Sequence, residues 1–487
     1  MTKLKNCSNC GKLMVMIGVL IAVPLLIFPF YPEEKMYFSS FAVPSLFSVT
    51  AGILLCLFVR RDADEAPDRQ DEQEQSSLIV LFVWFWGIIV GCVPFLISGQ
   101  LTFIQALFES VSGWTTTGLS TMDVTQTPKV FLFYRSFMQY CGGLGFIMMM
   151  VMLVSEKQSM DLFSAEGHPD KLMPNLKKTA QIIFEMYSAF LVAGTAAYAA
   201  FGMPLLESVC HAMCSLSTGG FSTRLFSIGE YNSLPIEIVT IILMLIGTTN
   251  FAVLLLLLKR KWRRVFEVSE IRFLLVLLVI FIPVTTFSVA KSLDIGILES
   301  LRQSVFNITS ALSTTGYSTV DYAKWPPFAV GVMILMMLIG GGAGSTAGGM
   351  KLSRVYLMLR MVGMNIKKRF LPERNVEAPY YVKPQGKTKI DSALCSDTLG
   401  FVGCYMLLFV AGSLLLTLTS GCGLTESMFE FASALGTVGL SIGLTGPATG
   451  AATLVVEIFG MILGRLEIFI VLAGLRFTLR AFKKTRE

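Results

Sequence analysis

Apolar residues fall in ten long runs along the chain, at 13–30, 38–59, 77–98, 130–154, 180–203, 235–258, 271–290, 328–360, 396–419 and 452–475. A helix needs about 20 apolar residues to cross a bilayer. In lipid, a crossing segment must also satisfy its own backbone groups. The pattern therefore predicts ten transmembrane helices in an all-α integral membrane protein. The run at 328–360 departs from the rest because its middle is rich in glycine. The last eight runs form four pairs, and each pair encloses a semi-apolar stretch too short to cross.

Those four stretches align without a gap. The first runs from Phe108 to Gly118 and Ser120, the second from Cys210 to Gly220 and Ser222, the third from Phe306 to Gly316 and Ser318, and the fourth from Phe429 to Gly439 and Ser441. Threonine stands two residues before each glycine, at Thr116, Thr218, Thr314 and Thr437. The residue after each glycine is large and apolar: Leu119, Phe221, Tyr317 and Leu440. Glycine, threonine and serine matching in one register make chance a poor explanation, and internal repeats of this kind define an architecture. Each stretch reads as a short helix that turns at Thr-x-Gly into extended backbone. Non-helical backbone at membrane depth is tolerated only where it is buried or lines a water-filled cavity. Four such segments around one axis offer rings of oxygens that can replace the hydration shell of a potassium ion. The expected ion-binding residues are Thr116, Thr117, Gly118, Thr218, Gly219, Gly220, Thr314, Thr315, Gly316, Thr437, Val438 and Gly439. The large residues after the glycines are expected to pack behind this filter.

The domain organisation follows: two N-terminal transmembrane helices in 1–76, then pore repeats at 77–154, 178–264, 270–360 and 395–480, with a connection at 361–394 between the last two. In the third repeat, Gly340, Gly341, Gly342, Gly344, Ser345, Thr346, Gly348, Gly349 and Lys351 fall in one stretch, 340–351. So much glycine makes a poor helix. An unwound segment there should border the pore just inside the filter, either as a movable gate or as a static kink. It is not a Walker loop, and it follows a membrane helix rather than a strand, which argues against dinucleotide binding. Arg465 sits within the last run, where a charge is costly and faces a cavity or a partner. It either opposes cation passage beneath the filter or pairs with a buried carboxylate. Arg135 reads as structural. Asn250 either lines the pore or bonds between helices.

Composition agrees with membrane residence: 54% of residues are hydrophobic, 15% are charged and the mean hydropathy is +0.67. Soluble domains carry about 25% charged residues. Charge also sets an orientation. Counting the termini and every second connection as one side, that side holds 27 Lys and Arg against six on the other. The positive-inside rule then places both termini in the cytoplasm. The outer segments hold eleven acids, and an acidic mouth raises the local cation concentration. The run Lys259 to Arg264 reads as a topology determinant touching anionic lipid. Lys3, Lys5 and Lys12 before the first run resemble a signal peptide, but that run is long and lacks a small-residue cleavage site, so a retained helix is expected. Cys7 and Cys10 form a lone C-x-x-C without a second pair, and His168 and His211 are too few for a histidine metal site. With no histidine cluster or nucleophile elbow, an enzyme is not expected, nor is a cofactor or a nucleic-acid partner.

Together, the Thr-x-Gly loops, the stretch from Gly344 to Lys351 and Gly464-Arg-Leu-Glu resemble the superfamily of potassium transporters that includes bacterial TrkH/TrkG and KtrB and plant HKT proteins. The two additional N-terminal helices resemble the TrkH/TrkG branch. The resemblance implies that the four glycines are filter glycines and that K+ is the transported ion. It implies a gating loop at 340–351 and a homodimer in the bacterial inner membrane. It also implies a cytosolic TrkA ring that responds to ATP, ADP or NAD(H). Gly118, where some sodium-permeable plant relatives carry serine, favours potassium. A proton- or sodium-coupled symporter remains the alternative, because discontinuous helices also mark such transporters.

Overall fold

The computed structural model describes residues 2–58, 69–144, 176–370, 380–466, 468, 469 and 471. The connection at 155–175, the later parts of the runs at 130–154 and 452–475, and the side chain of Cys7 lie outside the described residues or side chains. The described residues are mostly helical. Helices α1 (Thr2–Ala22) and α2 (Phe38–Phe58) pack on each other and on α3 (Arg69–Ile97). Four repeats follow, each with a short helix between a first helix and a second one that is broken in two in repeats two and three. Repeat one holds α3, the short α4 (Phe103–Trp114) and α5 (Lys129–Leu144). Repeat two holds α6 (Leu176–Ala200), the short α7 (Leu205–Leu216) and the pair α8 (Leu234–Thr248) and α9 (Phe251–Leu258). After α10 (Trp262–Glu267), repeat three holds α11 (Ser269–Leu293), the short α12 (Ile297–Leu312), α13 (Pro327–Ile339) and α14 (Leu352–Phe370). Repeat four holds α15 (Ser392–Ser420), the short α16 (Leu424–Gly436) and α17 (Ala451–Arg465).

Local chemistry sets the helix ends. The Asp391 carboxylate accepts the Leu394 amide at 2.8 Å and caps α15, and Gly421 closes that helix at φ +71°. Gln105 reaches back to the Thr102 amide at 3.1 Å and starts α4. Among the described residues, six helices are long and apolar enough to cross a membrane: α1, α2, α3, α6, α11 and α15. The second helices of the repeats are shorter or broken among the described residues. The expectation of one helix over 235–258 needs correction. α8 and α9 meet at a bend of 115°. There the Asn250 side chain accepts the Ala252 amide at 2.7 Å and starts a new helix, while the Thr248 carbonyl accepts from Gly342 at 3.0 Å instead of from its own helix. A second departure is an antiparallel hairpin in the 361–394 connection, β1 (Tyr380–Lys383) with β2 (Gly386–Lys389). Its Val382 amide donates to Ser269 Oγ at 3.0 Å.

The packing order of the repeats is cyclic. The second helix of each repeat packs on the short helix of the next: α5 on α7, α8 on α12, α13 on α16, and α17 back on α4. The short helices are thus held inside a closed ring, which explains their buried C-terminal halves.

Candidate functional site

Each short helix ends in the same unusual way. The threonine after it adopts a left-handed backbone, with φ of 55° at Thr116, 51° at Thr218, 55° at Thr314 and 49° at Thr437. Positive φ is an outlier for a β-branched residue, so four repeats share one strained conformation. The following amide then donates back to the helix: Thr117 to the Ser112 carbonyl (2.9 Å), Gly219 to Cys214 (2.9 Å), Thr315 to Ser310 (3.0 Å) and Val438 to Ser433 (2.8 Å). In repeats one and four a serine hydroxyl also takes the glycine amide, Ser112 from Gly118 and Ser433 from Gly439, each at 3.0 Å.

The four glycines meet around one axis. A Cβ added to Gly118 would strike the Gly219 carbonyl oxygen, one on Gly220 that of Thr315, one on Gly316 that of Val438, and one on Gly439 that of Thr117. The contacts run from repeat one to two, three, four and back to one, in the order of the helix packing. All twelve residues expected from the sequence lie in this ring. The hydroxyls of Thr116 and Thr437 are buried without a hydrogen-bond partner. Leu119, Phe221, Tyr317 and Leu440 are all buried. The Tyr317 hydroxyl reaches the carbonyls of His211 (3.2 Å) and Phe221 (3.3 Å) and so ties the third loop to the second.

Repeat two differs. Gln139, fully buried on α5, donates from Nε2 to the Gly219 carbonyl at 2.5 Å and accepts the Phe221 amide at 3.0 Å. A side chain at Gly219 would collide with Gln139, which accounts for the doubled glycine of this loop.

A second fourfold row supports the loops from behind. Nine residues before the glycines stand Glu109, His211, Asn307 and Glu430, all fully buried. Each bonds a hydroxyl just beyond its own loop: Glu109 to Ser120 (2.7 Å), His211 to Ser222 (3.1 Å), Asn307 to Thr319 (2.9 Å) and Glu430 to Ser441 (2.6 Å). The sequence reading missed this row. Its signal was present as a polar residue nine positions before the glycine in every repeat, among other polar residues of the same short helices. In repeat one the charge is compensated: Arg135 Nε lies 3.1 Å from Glu109 Oε2, Nη2 donates to Ser120 at 2.7 Å, and the guanidinium stands 4.1 Å from the Phe221 ring centre. Arg135 is thus a support for two loops.

The segment 340–351 lies against the threonine end of the ring. Its ends are clipped together, with Met350 donating to the Leu338 carbonyl (3.1 Å), Lys351 to Ile339 (3.0 Å) and Leu352 to Gly341 (2.8 Å). Gly340, Gly344, Gly349 and Lys351 all have positive φ. The Gly348 amide donates to Thr314 Oγ1 at 2.8 Å, and a Cβ there would strike Thr437 Oγ1. The Thr346 hydroxyl lies 3.2 Å from that of Thr218 and within 2.9 Å of the Leu216 and Gly247 carbonyls. Gly341 abuts the Thr248 hydroxyl, the Ser345 hydroxyl donates to Gly342 at 2.7 Å, and Asn250 donates to Ala343 at 2.5 Å. Arg465 crosses beneath, donating to the Thr346 carbonyl (2.8 Å) and the Gly142 carbonyl (2.6 Å). These bonds go to carbonyl oxygens of the 340–351 segment and of repeat one. A cavity of about 480 Å³ borders the segment at Ala343 and Lys351, with Glu270 and Arg354 also in its wall.

Comparison with known proteins gives one consistent answer. A family model described as TrkH, cation transport protein, matches residues 63–478. The chain is 29% identical to the Trk system potassium uptake protein TrkH of Halomonas elongata, over 95% of this chain and 96% of that protein. It is also 29% identical to the Trk system potassium uptake protein TrkG of Escherichia coli K12, over 94% and 95% of the two chains. The crystal structure of the potassium transporter TrkH from Vibrio parahaemolyticus superposes with a TM-score of 0.83, at 26% identity over 97% of this chain and 98% of that one.

Proposed function

The chain belongs to the TrkH family of cation transport proteins, and from that premise we propose that it carries potassium across the bacterial cytoplasmic membrane through the ring of four loops. The observation that carries this reading is the closed cycle of contacts among Gly118, Gly220, Gly316 and Gly439. Four backbone segments held at one axis with unpaired threonine hydroxyls supply oxygen ligands suited to a dehydrated cation. Potassium is the assigned ion because the relatives are named as potassium uptake proteins and the first loop carries glycine, with no side chain, at position 118.

The segment 340–351 is the gate. It sits against the threonines that end the ring, and its contacts are a modest set of hydrogen bonds, with Arg465 as a latch from the fourth repeat. Withdrawal toward the neighbouring cavity would open the path. Both termini face the cytoplasm, two chains form the working unit, and a cytosolic nucleotide-binding ring of the TrkA type moves the gate. The relatives' description as parts of a Trk system supports a protein partner of this kind.

Rubidium uptake by proteoliposomes of the purified chain tests the reading. Uptake should follow the rubidium gradient and be suppressed by potassium far more than by sodium. A reversal potential displaced from the potassium equilibrium value by a proton or sodium gradient would instead establish coupled symport, and no uptake under either gradient would end the transport reading.

A further inference from the structure

Repeat four replaces the cation of repeat one with an acid. Arg135 is the seventh residue of α5 and faces Glu109. The seventh residue of α17 is Glu457, and it faces Glu430. Both glutamates are fully buried. Glu430 is well supplied with donors: Ser441 Oγ (2.6 Å), the Ile442 amide (3.1 Å), the Thr445 amide (2.9 Å) and Thr445 Oγ1 (2.5 Å). Among the described residues Glu457 has only Thr445 Oγ1, at 2.8 Å, and its buried Oε2 has no partner there.

Hydrogen counting then decides the charge state. The Thr445 hydroxyl has one hydrogen and lies within bonding distance of two carboxyl oxygens. It can donate to one only, so the other carboxyl must donate to it. Among the described residues no cation pairs with either buried carboxylate, and two such neighbouring groups cannot both be ionised. Glu430, with four donors, holds the charge. We propose that Glu457 and Glu430 form a proton-binding site behind the fourth loop, with the proton on Glu457 and Thr445 relaying the hydrogen bond to Glu430.

The groups around the site leave the proton as the compensating charge. Of the elements packed on α17, α16 presents Glu430, α4 carries Glu109, which is already paired with Arg135, and α15 presents Thr419, which Thr453 reaches at 3.3 Å. The proton has a short route. Thr445 lies in the segment after the fourth loop, where Gly443, Pro447, Ala448 and Gly450 are exposed. Loss of the proton to water there would leave two negative charges around one hydroxyl. The repulsion would fall on the bonds from Glu430 to Ser441 and Ile442, which hold the outer end of that loop. The site stands on the hydrogen count alone; its effect on conduction rests on the filter reading above.

Infrared spectroscopy and flux test the two parts separately. The wild-type protein should show a protonated-carboxyl band that Glu457→Gln removes, because the glutamine amide keeps the donated hydrogen bond without an ionisable proton. Thr445→Val should shift that band, since the proton loses its acceptor. A wild-type spectrum with no such band, or a band that neither variant changes, overturns the site. In proteoliposomes the ratio of rubidium to sodium flux should fall several-fold as the mouth-side pH is raised, and Glu457→Gln should flatten that profile. A Glu457→Gln profile matching the wild type overturns the link to the loop. Failure of both proteins to conduct counts against the transport reading instead, and leaves the infrared result to decide the proton site.

Discussion

At the scale of single residues, the loops are built where the backbone has no spare room. Gly118 has φ +96°, and any Cβ on it would press on the Gly219 carbonyl oxygen. Serine there must displace a neighbouring loop as well as accept an unfavourable backbone. Gly118→Ser should therefore lower the ratio of rubidium to sodium flux, and equal ratios in the two proteins would count against the role of this glycine. Gln139 is a second such point. Its leucine variant leaves the Gly219 carbonyl and the Phe221 amide without their partner, and a buried unsatisfied group costs about 1–3 kcal/mol. Gln139→Leu should unfold at lower temperature than the wild type in a thermal melt, and its loss of ion discrimination should exceed that of a surface substitution. The Thr-x-Gly register was legible in the sequence because four copies repeat it. Gln139 was not, because it acts on the next repeat, 80 residues away, and no local pattern marks it.

At the scale of elements, the broken helices carry the interest. The glycines of 340–351 announce a break in the third repeat, and the structure gives their reasons one by one: Gly341 makes room for Thr248 and Gly348 for Thr437. Gly348→Ala should keep the segment from seating, so rubidium uptake without any cytosolic partner should rise above wild type. Arg465→Ala removes two hydrogen bonds and a positive charge from the same place and should act in the same direction. Uptake unchanged in both variants would remove the gate. The break between α8 and α9 was not legible. Thr248, Thr249 and Asn250 are short polar residues that a continuous helix tolerates, and the bend exists because Gly342 and Ala343 compete for their backbone and side-chain bonds. Contact across the fold has there overridden local preference.

At the scale of the whole molecule, the fourfold plan is carried by unequal chemistry. The row Glu109, His211, Asn307 and Glu430 does one job with three kinds of side chain, and among the described residues only repeat one supplies a cation for it. Arg135→Met alone should cost about 3–5 kcal/mol in a denaturant or thermal titration, because it strands a buried carboxylate. Pairing it with Glu109→Gln should recover a good part of that loss, and an additive double mutant would show that the two residues act independently. Hydropathy made much of the helix plan readable because the bilayer forces apolar runs. The order of the ring was hidden, since it depends on which second helix meets which short helix. That order has a consequence during synthesis. The cycle closes only when α17 returns to α4, so a nascent chain ending just short of Ala451 already holds all four loops but still has an open flank between the fourth and the first. The last of these helices to be translated is therefore the clasp, and the four loops can settle into one closed circle only after the chain has been made through Arg465.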